Sequence, residues 1–256
     1  MIVVVLSAAM LIGGDAPPTD PFVGNWKFNP EKSKMTGDTM RIDVLPSGEY
    51  KVSSGEISET MKPDGVDRPV HFGHTAALRK IDDHTWEFTW KQKGRVLSTE
   101  TWQLAPDQKT AMISVTGTRP DGKQFEDKVT RLRVGGKSGL AGTWRSSEVK
   151  VSIAEMFEIR PFEGDGHAVI VPGEKLEFSY KFDGKEYPVH GPNVPEGATI
   201  SGTRSGPRNI DTTGKVGGKM MFTEHMTVSV DGRTLTEVEK EIDSDKAMSY
   251  VYERVP

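Results

Sequence analysis

A glutamate stands on an otherwise apolar strand face at two places in this 256-residue chain. Between Lys219 and Val230, alternate residues read Met220, Phe222, Glu224, Met226, Val228 and Val230. Residues two apart share one face of a strand, so Glu224 points where its apolar neighbours point. The matching face of an earlier stretch reads Val96, Ser98, Glu100, Trp102 and Leu104. A carboxylate on an apolar face must be paired, hydrated in a cavity or protonated. One reading makes it a group that orients a ligand inside a pocket. The other makes it a structural partner of an arginine, or a solvent-facing residue at a barrel mouth. A twist or bulge that misplaces one residue favours the structural reading.

Trp86, Phe88 and Trp90 form an aromatic stripe at the same spacing. Such a stripe lines an apolar cavity or, more commonly, packs a core. The candidate ligand-binding set is therefore Glu100, Trp102, Trp86, Phe88 and Trp90 in one half, and Glu224, Phe222 and Met226 in the other. Met220, Met221, Met226 and Met248 would supply an adaptable lining or fill gaps in a core. His71 and His74 point to opposite faces of an extended strand and make a poor metal pair. The chain has no cysteine, which excludes disulfides, thiol catalysis and thiolate metal sites. Gly-x-Ser-x-Gly, His-Glu-x-x-His and dinucleotide fingerprints are missing. Gly136-Lys137-Ser138 imitates a phosphate loop, but Arg131 stands where that loop needs a glycine. No catalytic residue, cofactor or metal is expected, and binding is favoured over catalysis.

The elements that would position these residues come from a repeat. Phe22-Val23-Gly24-Asn25-Trp26 returns as Leu140-Ala141-Gly142-Thr143-Trp144, and Pro69-Val70-His71 as Pro188-Val189-His190. Thr99-Glu100 returns as Thr223-Glu224 in the same order. A period near 118 residues is a whole domain, not a solenoid unit. Within each half, short alternating runs stop at turn signals every 8–12 residues or so, the signature of a β-sandwich or barrel. Examples are Thr85 to Trp90, Phe125 to Val134, Val149 to Ile153 and Thr234 to Ile242. Pro188 to Gly206 reads as loop or weak strand, and Pro30 to Lys34 as one helical turn capped by Asn29. The expected domains are 20–134 and 140–256, joined by a Gly-rich linker at 135–139.

A net charge of −4 argues against a nucleic-acid partner. The apolar run 2–12 is too short to span a bilayer, which takes about 18 apolar residues or more, and suits a signal peptide within residues 1–19. A secreted or periplasmic location without a membrane span follows as an expectation.

Gly-x-Trp opening an antiparallel domain, with Asp-Gly…Pro-Val-His and Ile-Asp-Asp-His-Thr-Trp-Glu-Phe-Thr further on, resembles the lipocalin-like repeats of the calycin superfamily found in secreted bacterial proteins. The resemblance implies an all-β chain of two tandem antiparallel barrels of about 115 residues and eight or so strands each, with Trp26 and Trp144 plugging their closed ends. It implies a small, largely apolar ligand in one or both barrels. The alternatives are filled barrels serving a structural or protein-interaction role, and a hydrolase or isomerase in a barrel cavity. The stripe at Trp86 makes the first half the favoured binding half.

Overall fold

The computed structural model describes residues 20–55, 57–136, 138–153, 155–242 and 246–256. The run expected as an export signal lies outside the described residues. The earlier half of the chain forms β1 (Gly24–Phe28), β2 (Thr39–Val44), β3 (Tyr50–Ser54), β4 (Ile57–Met61), β5 (Arg68–Pro69), β6 (His74–Lys80), β7 (Thr85–Gln92), β8 (Arg95–Leu104), β9 (Thr110–Thr118) and β10 (Gln124–Gly135). The later half forms β11 (Gly142–Lys150), β12 (Met156–Pro161), β13 (Gly166–Val171), β14 (Leu176–Lys181), β15 (Tyr187–Pro188), β16 (Ala198–Gly206), β17 (Asn209–Val216), β18 (Lys219–Val228), β19 (Thr234–Glu241) and β20 (Met248–Val255). No α-helix occurs among the described residues, and none of their helical segments is long and apolar enough to cross a membrane.

The strands build two antiparallel sheets of ten, each curled into a nearly closed barrel. One runs β4-β3-β2-β11-β10-β9-β8-β7-β6-β5, the other β14-β13-β12-β1-β20-β19-β18-β17-β16-β15. The sheets do not follow the expected boundaries 20–134 and 140–256. The opening strand of each repeat sits in the other repeat's sheet. β1 lies between β12 and β20, with Trp26 opposite Phe157 and Arg254. β11 lies between β10 and β2, with Trp144 opposite Arg133 and Met40. The first barrel is thus one continuous stretch, and the second is split around it. Residues 135–139 connect neighbouring strands of one sheet, so they are not a linker between barrels. The chain passes between barrels after Phe28 and again after Lys150.

The exchange is possible because both opening strands make the same contacts. Trp26 and Trp144 are fully buried. Each donates its indole N–H to a carbonyl four residues back, Phe22 at 2.8 Å and Leu140 at 2.9 Å. The Arg254 guanidinium lies 4.2 Å over Trp26, and that of Arg133 4.1 Å over Trp144. Arg254 also donates to the carbonyls of Gly232, Val23 and Pro21, and Arg133 to those of Gln108, Ala141 and Gly139. The glycine of Gly-x-Trp follows from this seat. At Gly24 (φ +138°) and Gly142 (φ +150°) a Cβ would fall on the guanidinium.

Ile42, Leu78, Trp86, Trp102, Leu104 and Trp144 are central to the first core, and Phe22, Trp26, Ile159, Ile210, Val228 and Leu235 to the second. Between the barrels, Arg119 is paired with Glu155 and with Glu174, and Gln92 Nε2 donates to the Val194 carbonyl at 3.2 Å. One local expectation shifts and one holds. The strand expected at Val149 to Ile153 instead ends at Lys150, while the single turn expected after Pro30 is capped by Asn29 and returns to pairing at Lys34.

Candidate functional site

In the first barrel the expected binding stripe is the packing of the core. Trp86, Phe88 and Trp102 are at most 3% exposed, and Trp86 donates to the Tyr50 hydroxyl at 3.3 Å. Glu100 points inward and its oxygens are taken up by neighbours. Trp90 Nε1 donates to Oε1 at 2.9 Å and Trp102 Nε1 to Oε2 at 3.1 Å. Burial pushes the Glu100 carboxyl above its ordinary range, and the two indoles and the Arg131 charge pull the other way. Arg131 itself is ion-paired to Asp38 at 2.8 Å. This glutamate is satisfied by its own barrel.

The second barrel carries the same strands with different side chains. Pairing of β7 with β8, and of β17 with β18, makes Ile210, Thr212 and Gly214 the counterparts of Trp86, Phe88 and Trp90. Three large rings are replaced by an isoleucine, a threonine and a glycine. The second barrel holds a cavity of about 240 Å³, and Thr212 is part of its wall. Its apolar wall includes Phe157, Val169, Phe178, Ile200, Phe222 and Met226. Phe222 lies over Gly214 and Tyr180 over Gly202, where a Cβ would collide with each ring. A second apolar hollow of about 360 Å³ shares Phe178, Ile200 and Phe222 with it and is bounded by Phe72 of the first barrel.

Polar groups of the cavity gather at Glu224. Thr212 Oγ1 donates to Glu224, which also shares a hydrogen bond with Glu237 on the next strand. Burial pushes the Glu224 carboxyl up; Glu237 is pushed up by burial and then by the charges of Glu224 and Glu239. Each of two such carboxyls side by side makes the other harder to ionise. Tyr252 bonds to Glu237. Tyr180, only 2% exposed, also lines the cavity. Oxygens of Glu224, Glu237 and Glu239 lie within 4.8 Å of one another. Ca²⁺ takes about six to eight oxygens, and much of the remaining wall here is apolar or aromatic.

Of the residues singled out by sequence, Phe222, Glu224 and Met226 meet at this cavity. Trp86, Phe88 and Trp102 belong to the first core, with Trp90 packed against it and bonded to Glu100. Sequence reasoning missed Glu237, Tyr252 and Tyr180. In Leu235-Thr236-Glu237-Val238 the apolar Val238 suggests the wrong inward face, yet Val238 is exposed and Glu237 shares the face of buried Leu235. Only the register that sets Met226 opposite Glu237 reveals it. A scan against protein-family models finds no match for this chain, and searches of curated proteins and of solved structures find none either.

Proposed function

We propose that the protein is a binding protein whose second barrel holds one small, largely apolar molecule. The supporting observation is the cavity of about 240 Å³ in the second barrel, lined by Thr212 where the first barrel has Phe88. Ligand pockets are mostly apolar with a few placed polar groups, which is the balance of this wall. The first barrel, with its stripe packed, serves as a structural neighbour. Export to the periplasm or medium belongs to the same reading, on the strength of the apolar run 2–12.

Titration of the full chain with an environment-sensitive apolar dye tests the cavity. Saturable binding is expected in the wild type, with a large loss in Val169→Trp, which fills the chamber. Equal binding by a folded Val169→Trp would show that the dye sits elsewhere and defeat the proposal. Native mass spectrometry of protein purified from its own host is expected to show a co-purified small molecule.

A further inference from the structure

The two barrels are internal controls for one another, and their interiors differ in charge. The first holds a single inward carboxyl on this face, Glu100, with Arg131 in electrostatic reach. Arg131 lies two residues before Arg133, the arginine that stacks on Trp144; the residue two before Arg254 in the second barrel is Tyr252. The counter-charge is therefore gone. Meanwhile Ile113 and Val115, which face Trp102 and Glu100, are replaced by Glu237 and Glu239, which face Met226 and Glu224. Carboxyls are gained where the cation is lost.

The groups around Glu224 and Glu237 are Thr212 on β17, Glu239 and Glu241 on β19, Tyr250 and Tyr252 on β20, Tyr180 on β14 and Glu155 before β12. Arg119 is paired with Glu155, itself part of the wall, and with Glu174, and Arg204 is paired with Asp20. No lysine, arginine or histidine lines the cavity among the described residues. Its rings, Phe157, Phe178, Tyr180, Phe222 and Tyr252, offer the negative faces that attract cations.

Resting on the binding role proposed above, we infer that the ligand is an organic cation. Its ammonium group takes the place of the missing counter-charge, between Glu224 and Glu237, and its apolar body lies against Phe157, Phe178 and Phe222. At about 30 Å³ per water-sized volume, a chamber of about 240 Å³ suits roughly eight heavy atoms, about one ring with a short chain. Entry of the cation favours the ionised carboxylates, so a proton leaves the Glu224–Glu237 pair as the ammonium arrives.

The test is calorimetric titration of the full chain with three probes that share a phenylethyl group: 2-phenylethylamine, 2-phenylethanol and 3-phenylpropionate. The amine is expected to bind at least tenfold more tightly than the alcohol, and the carboxylate not at all. Its binding heat should vary with the ionisation enthalpy of the buffer, reporting proton release. In Glu237→Gln, a near-isosteric change, the amine should fall to the affinity of the alcohol. If the alcohol matches the amine, the cation inference is overturned while the apolar-pocket reading stands. If none of the three binds, the cation inference is again overturned, and the dye titration decides the pocket independently. If Ca²⁺ or Zn²⁺ alone binds and expels the amine, the carboxyls form a metal site and the inference fails.

Discussion

Replacing Trp26 by alanine separates two assignments of the Gly-x-Trp strands, because its effect must appear in one barrel or the other. Trp26 is fully buried among Ile159, Ile210 and Leu235 of the second core. An indole buries about 150–250 Å², worth roughly 4–6 kcal/mol at about 25 cal/mol per Å². The Arg254 stacking adds about 1 kcal/mol, while aromatic truncations in cores generally cost about 3–5 kcal/mol. A loss of about 4 kcal/mol is therefore expected, a large share of the ~5–15 kcal/mol that holds a domain folded. The remaining tryptophans, Trp86, Trp90, Trp102 and Trp144, all belong to the first barrel. In Trp26→Ala, tryptophan fluorescence thus reports the first barrel alone. In urea, that signal should keep a midpoint within about 1 kcal/mol of wild type, the allowance for contacts such as Arg119 with Glu174. Far-UV circular dichroism should show a separate, earlier transition from the second barrel. Trp144→Ala should do the reverse and bring the fluorescence transition down. If Trp26→Ala lowers the fluorescence transition by several kcal/mol and leaves the other intact, the exchange of strands is refuted.

Other consequences are as direct. Ala at Gly142 places a Cβ on Arg133 and demands a positive φ, so Gly142→Ala should cost the first barrel about 1–3 kcal/mol, and Gly24→Ala the second a similar amount, both read by denaturant melts. Asp20 is held at about 2: burial would raise it, but hydrogen bonds from His167, the Phe22 amide and Arg204 prevail. Its stabilising effect is complete above its ordinary pKa of 3.8 and is lost as pH falls through about 2, so Asp20→Asn should cost roughly 2 kcal/mol at pH 7 and progressively less below pH 4. Glu237 has the opposite sign. Its carboxyl binds a proton more tightly folded than unfolded, so the ligand-free second barrel should weaken as pH rises above 4.5, and Glu237→Gln should flatten that slope in thermal melts.

How much of this was legible in the sequence varied with what each residue touches. The all-β class, the duplication and the inward glutamates follow from period-two alternation and turn residues, which are local signals. The ownership of the opening strands does not, because Trp26 and Trp144 meet the same arginine and the same carbonyls in either barrel. β16 and β17 were obscured for another reason. Gly202 and Gly214 stand where alternation calls for apolar side chains, since the rings of Tyr180 and Phe222 already fill those places. The aromatic stripe at Trp86 pointed to the first half for binding. Its large side chains are what occupy that barrel, and the informative signal was the replacement of Phe88 by Thr212, which lines the cavity of the second.

The nesting of one barrel within the other also sets a timetable for synthesis. β1 is made well before either of its partners, β12 and β20. At about 5–20 residues per second, β1 waits roughly 10–45 s for β20. In the interval between the making of β10 and of β11, the slot between β2 and β10 stands empty, and it already carries Arg133, the seat for a Gly-x-Trp strand. β1 is free to enter it. The segment that should fill that slot, β11, follows directly on β10 and closes by a short connection, so it competes with the advantage of a small loop. The chain's correct assembly therefore depends on a late, local strand displacing an early, distant one.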